Sequence, residues 1–257
     1  MHHCSCIHIL KGETSLHLAC NIHKGQLHYP TEDIDIMKLL LGHGGSHCIL
    51  RMSKATKETV FHFVCTNGNA EVLTAMLRQI DAGQAQIGVN LQSAIGWSPL
   101  CAASAHGHVR CVETLLENNG RVDVFDHEGK SSLHLASEYG SEEVCRVLLN
   151  AKAFINSKTK AGWTALHFAA QRGHQALVEY FVTKSGATVD ATTMKKQTPL
   201  HLAATSGKLE ACRALVELGA SLDAVDDNSQ RAIHLAAQAN QVWLQFYRTV
   251  CPFVPFS

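Results

Sequence analysis

The sequence predicts an all-α solenoid of stacked helix pairs with projecting β-hairpin fingers. Two observations predict it: a six-residue phrase recurs along the chain, and its later copies fall at a near-constant spacing. The phrase first reads Thr14-Ser15-Leu16-His17-Leu18-Ala19 and returns at 131–136, 164–169 and 198–203. Weaker copies stand at 59–64 and 231–236, and a variant at 98–103 has Cys101 where the others have His. The residues before that His or Cys include Leu100, Leu133, Leu166, Leu200 and Ile233, so successive gaps are 33, 33, 34 and 33. The earlier gaps are longer, 45 from Leu16 to Phe61 and 39 from Phe61 to Leu100. Such a period marks an array in which each unit buries its apolar face on its neighbours.

Each part of the repeat has a physical reason. Thr14, Thr59, Ser98, Ser131, Thr164 and Thr198 stand where a first helix begins, and their hydroxyls can cap orphan backbone N–H groups. Pro99 and Pro199 follow at the first helical position, where a missing N–H costs nothing. The leucine buries, and small pairs such as Ala102-Ala103 and Ala169-Ala170 let neighbouring helices approach closely. Gly107, Gly140, Gly173 and Gly207 end the first helix, because glycine tolerates the left-handed conformation. A second helix follows, with apolar residues four, five, eight and nine positions after that glycine, as in Val144, Cys145, Leu148 and Leu149. These offsets define one helical face. Gly120, Gly186 and Gly219 mark the next turn, and segments such as Val122-Asp123-Val124 and Leu222-Asp223-Ala224 are read as the fingers. Phrase and period together are similar to the ankyrin signature, which makes the fold class an ankyrin-repeat solenoid.

Six helix pairs are expected at 13–45, 58–80, 97–120, 130–153, 163–186 and 197–220, with a partial seventh from 230. The array so defined covers 13–240, preceded by an incomplete or frayed unit at 1–12 and followed by a non-repeat tail at 241–257. The first pair carries an insertion near 26–33, and the second is followed by a long connection, 81–95. Neither end has the polar face of a capping repeat, and both read as the ends of a fragment of a longer array.

Composition narrows the function. Hydrophobic residues make up 46% and charged residues 17%, so a packed core is expected. Lys+Arg and Asp+Glu are both 22, which lacks the basic footprint of a nucleic-acid binder. No apolar run approaches the roughly 18 residues of a membrane-spanning helix. The ten cysteines, with no signal peptide, read as reduced thiols of a cytoplasmic protein. No nucleophile elbow, P-loop or dinucleotide fingerprint is present, so no catalytic residue, cofactor or metal site is expected.

The recurring His17, His62, His134, His167, His201 and His234 read as neutral imidazoles that tie loops to helix starts. The N-terminal His2, His3, Cys4, Cys6 and His8 lack the spacing of a closed zinc site. Cys145 and Cys212 share one register of the second helix, where a thiol packs as a small hydrophobe. Candidate partner contacts are Trp97 and Trp163, just before repeat starts, and Asp123, Asp190 and Asp223, which recur at finger positions. Aromatics at such positions either anchor a partner or pack on the adjacent finger, and the aspartates read as solvated turns.

Several stretches go beyond the general repeat. They include Ala94-Ile95-Gly96-Trp97-Ser98-Pro99-Leu100, Arg121-Val122-Asp123-Val124-Phe125-Asp126, Lys152-Ala153-Phe154-Ile155-Asn156-Ser157-Lys158 and Lys196-Gln197-Thr198-Pro199-Leu200-His201. With Glu58-Thr59-Val60-Phe61-His62 and Leu218-Gly219-Ala220, they resemble the ankyrin region of the NompC-like (TRPN) mechanosensory cation channels, over about 13–240. The resemblance implies a cytoplasmic, force-transmitting segment of a channel without its pore. The implied partners are proteins: microtubules and the other ankyrin subunits of the same channel. The alternative is a free-standing cytosolic adaptor or scaffold that binds an unrelated protein.

Overall fold

The recurring phrase starts a helix at every described copy. The computed structural model describes residues 49–239, and twelve α-helices lie among them. They are α1 Val60–Asn67, α2 Ala70–Gln79, α3 Ala82–Gly88, α4 Pro99–Ala105, α5 Val109–Glu117, α6 Ser132–Tyr139, α7 Glu142–Asn150, α8 Ala165–Arg172, α9 Gln175–Ser185, α10 Pro199–Thr205, α11 Leu209–Glu217 and α12 Ala232–Gln238. No extended strand occurs among the described residues. The fold is an all-α repeat solenoid. The expectations for 1–48 and 240–257, including the first helix pair and the tail, lie outside the described residues.

The two helices of a repeat differ because their surroundings differ. First helices are buried nearly all round: in α8, Ala165, Leu166, His167, Phe168, Ala169 and Ala170 are all buried. Second helices bury one face, as with Val144, Cys145 and Leu148 in α7 or Leu177, Val178 and Phe181 in α9. The offset-nine residues Leu149 and Val182 are only half-buried, so the buried stripe is narrower than the sequence implies.

The described chain forms two compact units, one ending at His127 and the other starting at Glu128. In the first, α1 packs on α2 and α4, α4 on α5, and α2 on α5. In the second, α6, α8, α10 and α12 form one layer and α7, α9 and α11 another, each second helix lying on its own first helix. This two-layer stacking buries helices of seven to eleven residues that are too short to persist alone in water.

Two local features differ from the sequence reading. The connection 81–95 contains the helix α3, started by the Asp81 carboxylate accepting from Gln84 N–H at 2.9 Å. Its last residue, Gly88, sits where a Cβ would lie 2.3 Å from the Phe61 ring, so the insertion is docked on the core. In the turn after α5 the left-handed residue is Asn119, at φ 62°, and not Gly120. Asparagine visits this region more readily than most residues.

Candidate protein-interaction surface

The histidine of the phrase is a two-ended clasp. In α8 the N–H of the capping residue Thr164 donates to His167 Nδ1 at 3.1 Å, and the Thr164 hydroxyl lies 2.8 Å from the same atom. A ring nitrogen that accepts an N–H carries no proton, so the neutral ring keeps its proton on Nε2. Nε2–H then donates to the Gln197 carbonyl of the next repeat at 3.2 Å. The same arrangement joins His62 to Thr59 and the Trp97 carbonyl, and His201 to Thr198 and the Gln230 carbonyl. His134 accepts from Ser131 N–H and reaches the Ser157 carbonyl at 3.0 Å. Burial lowers the His167 pKa to about 4, which holds the ring neutral. Arg231 has no side-chain acceptor, and its cap keeps the backbone N–H bond to His234 Nδ1 at 3.0 Å. At the variant copy the Ser98 hydroxyl donates to the Cys101 sulfur at 3.5 Å.

Two further histidines, which the sequence reading did not separate, stand at the N-cap positions of the second helices α5 and α9. His108 Nε2 bonds the Thr66 carbonyl at 3.0 Å, and His174 Nε2 bonds the Glu138 carbonyl at 3.1 Å. Burial lowers the His108 pKa, with the Thr66 carbonyl opposing and His106 adding to the fall. These rings lie over the glycines that end the preceding repeat's first helix: a Cβ on Gly140 would stand 2.5 Å from His174.

Within each unit the clasps position tight turns, the fingers. Each turn closes with a backbone bond: Ser93 N–H to Trp97 O at 2.8 Å, Thr159 to Trp163 at 2.9 Å, Thr193 to Gln197 at 3.0 Å and Asp226 to Gln230 at 2.9 Å. The first residue of each turn also accepts from within it, as Thr159 Oγ1 does from Trp163 N–H at 3.1 Å. In the first unit Ala94 N–H donates to Thr56 O and His127 N–H to Ile95 O. In the second, Lys160 donates to Glu128, Met194 to Ala161 and Asp227 to Lys195. The fingers therefore sit a few residues after the segments assigned to them from sequence. The Thr, Ser or Asp side chain that closes the turn decides their place, and it lies at 93, 159, 193 and 226.

The five candidate contact residues belong to this framework in different ways. Trp97 is half-buried and its indole N–H donates to Asp126 at 3.3 Å. Trp163 is half-buried against Phe168, ring centres 4.9 Å apart. Asp190 accepts from Ser221 N–H at 3.0 Å. It shares that role with Asn156, which accepts from Thr188 N–H, and with Asn90, which accepts from Arg121 N–H. Asp123 is exposed and paired with Arg121 at 2.9 Å, and that bond lowers its pKa. Asp223 is exposed, 3.4 Å from Arg231. One register of the sequence, 90, 123, 156, 190 and 223, holds Asn or Asp throughout, and the two asparagines at 90 and 156 belong with the aspartates.

Three further surface features come from the structure alone. In the second unit Glu138 bonds Arg172 at 2.6 Å and Lys130 at 3.3 Å, beside Phe168 with Lys130 5.3 Å from its ring centre. Burial pushes the Glu138 carboxyl up, but the Arg172 bond and the Lys130 charge prevail and hold it below its usual value. Phe154 is 71% exposed and Met194 75% exposed, far from what core packing would give. In the first unit an open groove of 490 Å³ between α2 and α5 is lined by Glu71, Arg78, Arg110 and Glu113, among others.

The thiols point inward. Cys65, Cys101, Cys111, Cys145 and Cys212 are buried, and burial pushes Cys145 and Cys212 up to about 12. Cys65 rises well above its ordinary value through burial and its bond with Cys111. Thiols held in this way pack and do not react.

The family model "Ankyrin repeats (3 copies)" matches residues 27–126, 80–159, 119–193 and 185–245. Ankyrin repeat and SOCS box protein 3 of Bos taurus is 36% identical over 101 residues, 38% of this chain and 19% of that protein. The nuclear factor NF-kappa-B p105 subunit of Gallus gallus is 29% identical over 175 residues, 66% of this chain and 17% of that protein. The E3 ubiquitin-protein ligase KEG of Arabidopsis thaliana is 27% identical over 205 residues, 77% of this chain and 12% of that protein. The chain thus spans less than a fifth of the length of these curated relatives. No described helix is long and apolar enough to cross a membrane.

Proposed function

Because this chain belongs to the ankyrin-repeat family, we propose that it is a protein-interaction segment of an adaptor or scaffold and catalyses no reaction itself. The observation that carries this reading is the division of labour at the repeat joints. Capping hydroxyls, imidazoles and Asx side chains are spent on the backbone, while finger side chains such as Met194 and Lys195 face solvent. A surface held rigid before it meets its partner loses less entropy on binding. The names of two relatives couple repeats with a SOCS box or carry a ubiquitin-ligase activity. In the same manner this segment would supply recognition to whatever accompanies it. Of the five sequence candidates, Asp123 and Asp223 are exposed enough for direct contact. Trp97, Trp163 and Asp190 would act by shaping the loops around them.

The force-transmitting channel reading, with microtubules and fellow ankyrin subunits as partners, rests on the resemblance of stretches such as 94–100 and 152–158. None of the three relatives above is a channel by name, and they favour the adaptor. Co-sedimentation of the purified chain with microtubules separates the two: saturable binding would revive the channel reading. For the adaptor, proximity labelling is run with the wild type and with a variant reversed in charge on its fingers. The expected result is a discrete set of labelled proteins that the variant loses while its melting temperature is unchanged. Identical labelling by both would sink the assignment of recognition to the fingers.

A further inference from the structure

Two neighbouring fingers of the second unit carry basic charge alone. The turn at 157–162 carries Lys158 and Lys160, and the turn at 191–197 carries Lys195 and Lys196, with no acidic residue in either. All four lysines are exposed. The turns are adjacent: Met194 N–H donates to the Ala161 carbonyl at 2.9 Å, and Lys158 Nζ donates to the Thr192 carbonyl at 2.9 Å. Lys196 lies 3.8 Å from Asp227, while neither Lys160 nor Lys195 has an ion-pair partner among the described residues. Between these cations stands Met194, 75% exposed. The next turn, 224–230, reverses the sign with Asp226 and Asp227 and no lysine, so the basic patch has a defined edge.

Deepening the interaction reading above, on which it rests, we propose that these two fingers bind an acidic peptide segment that places an apolar side chain on Met194. The charge pattern decides between anionic partners. A nucleic-acid backbone presents regular phosphates and calls for a longer basic stripe, whereas this patch covers two turns and ends against carboxylates. The exposed thioether also matches an apolar side chain better than a phosphate, since methionine adapts its shape to such contacts. Rim lysines of this kind act on association and salt dependence more than on packing.

The experiment uses the whole chain and fluorescence anisotropy with labelled synthetic peptides. One alternates glutamate and leucine, one glutamate and serine, and one lysine and leucine; a labelled single-stranded oligonucleotide completes the set. The glutamate–leucine peptide should bind, the glutamate–serine peptide more weakly, and the lysine–leucine peptide not at all. Binding should fall as salt rises through about 0.1 M, where screening acts over roughly 10 Å. The double variant Lys160→Glu/Lys195→Glu should bind roughly tenfold more weakly with an unchanged melting curve, and Met194→Ser should erase the advantage of leucine over serine. Equal binding by the double variant, or an oligonucleotide bound as tightly as the peptide, overturns the proposal. Selection of random peptides on the intact chain separates this proposal from the reading beneath it. Selected peptides that are not acidic and ignore Lys160→Glu/Lys195→Glu leave the interaction segment standing and remove its acidic occupant. A library that yields no binder counts against both.

Discussion

At the scale of single residues, the clasp histidine His167 couples stability to acidity. His167 accepts at Nδ1 and donates at Nε2, so a second proton would have to displace the Thr164 N–H bond inside a buried site. Burial accordingly puts its pKa at about 4, against 6.5 for an ordinary imidazole. The folded value is the lower one, so above pH 6.5 neither state is protonated and His167 imposes no penalty. As pH falls from 6.5 to 4 the unfolded chain takes up the proton first, and folding loses on the order of 3 kcal/mol from this residue. Urea unfolding at pH 7.5 and pH 4.5 should therefore show a smaller acid loss for His167→Gln than for the wild type; equal losses would refute the assignment. Gly173 is a second single-residue test. Its φ is +83°, and a Cβ there would lie 2.8 Å from Lys208 Cδ, the movable end of a flexible side chain. The backbone is thus the obstacle, at about 1–2 kcal/mol for an L-residue. Gly173→Ala should destabilise by that amount, and adding Lys208→Ala should not restore the melting temperature. Full recovery in the double variant would mean that crowding, not φ, reserves the site for glycine.

At the scale of helices and turns, stability comes from packing between short segments. Leu166 is 1% exposed in α8, a helix with first-helix neighbours on both sides. Leu166→Ala should cost roughly 2–5 kcal/mol in the urea midpoint, and an unchanged midpoint would remove this leucine from the core. Elements of this kind were legible in the sequence because a capping hydroxyl, a leucine and a glycine each act locally, within a turn or two of their own position. The first helices of the described repeats appear where the phrase places them. What was not legible depends on contacts across repeats. α3 has no apolar period and includes Gly83 and Gly88; it is marked only by the Asp81 cap and by its fit against Phe61. The fingers lie later than 122–124 and 222–224 because side chains further on, such as Ser93, Thr159 and Thr193, close the turns. The basic pair of fingers was hidden for another reason. Their charge emerges only when 157–162 and 191–197 are laid side by side, and the chain as a whole is neutral.

At the scale of the molecule, a solenoid's stability is close to a sum of repeat and interface contributions. Within the second unit, α8 is flanked by α6 and α10, whereas α12 lies against α10 alone among the described first helices. α8 buries six of its residues and α12 three, so α12 should open more readily, and local openings set amide exchange. Hydrogen exchange followed by mass spectrometry should show stronger protection in α8 than in α12, and equal protection would indicate a single cooperative block.

The clasp has a further consequence. From His62 to its carbonyl partner the chain runs 35 residues, whereas from His167 and His201 it runs 30 and 29. In these three repeats the bond is made to the residue just before the next cap although the contour between its ends differs, and the excess before Trp97 is taken up by α3. Among them the length of the repeat varies while the place of the bond does not. The joint between α2 and the following finger is a place where residues can be inserted or deleted without moving the bond that His62 makes.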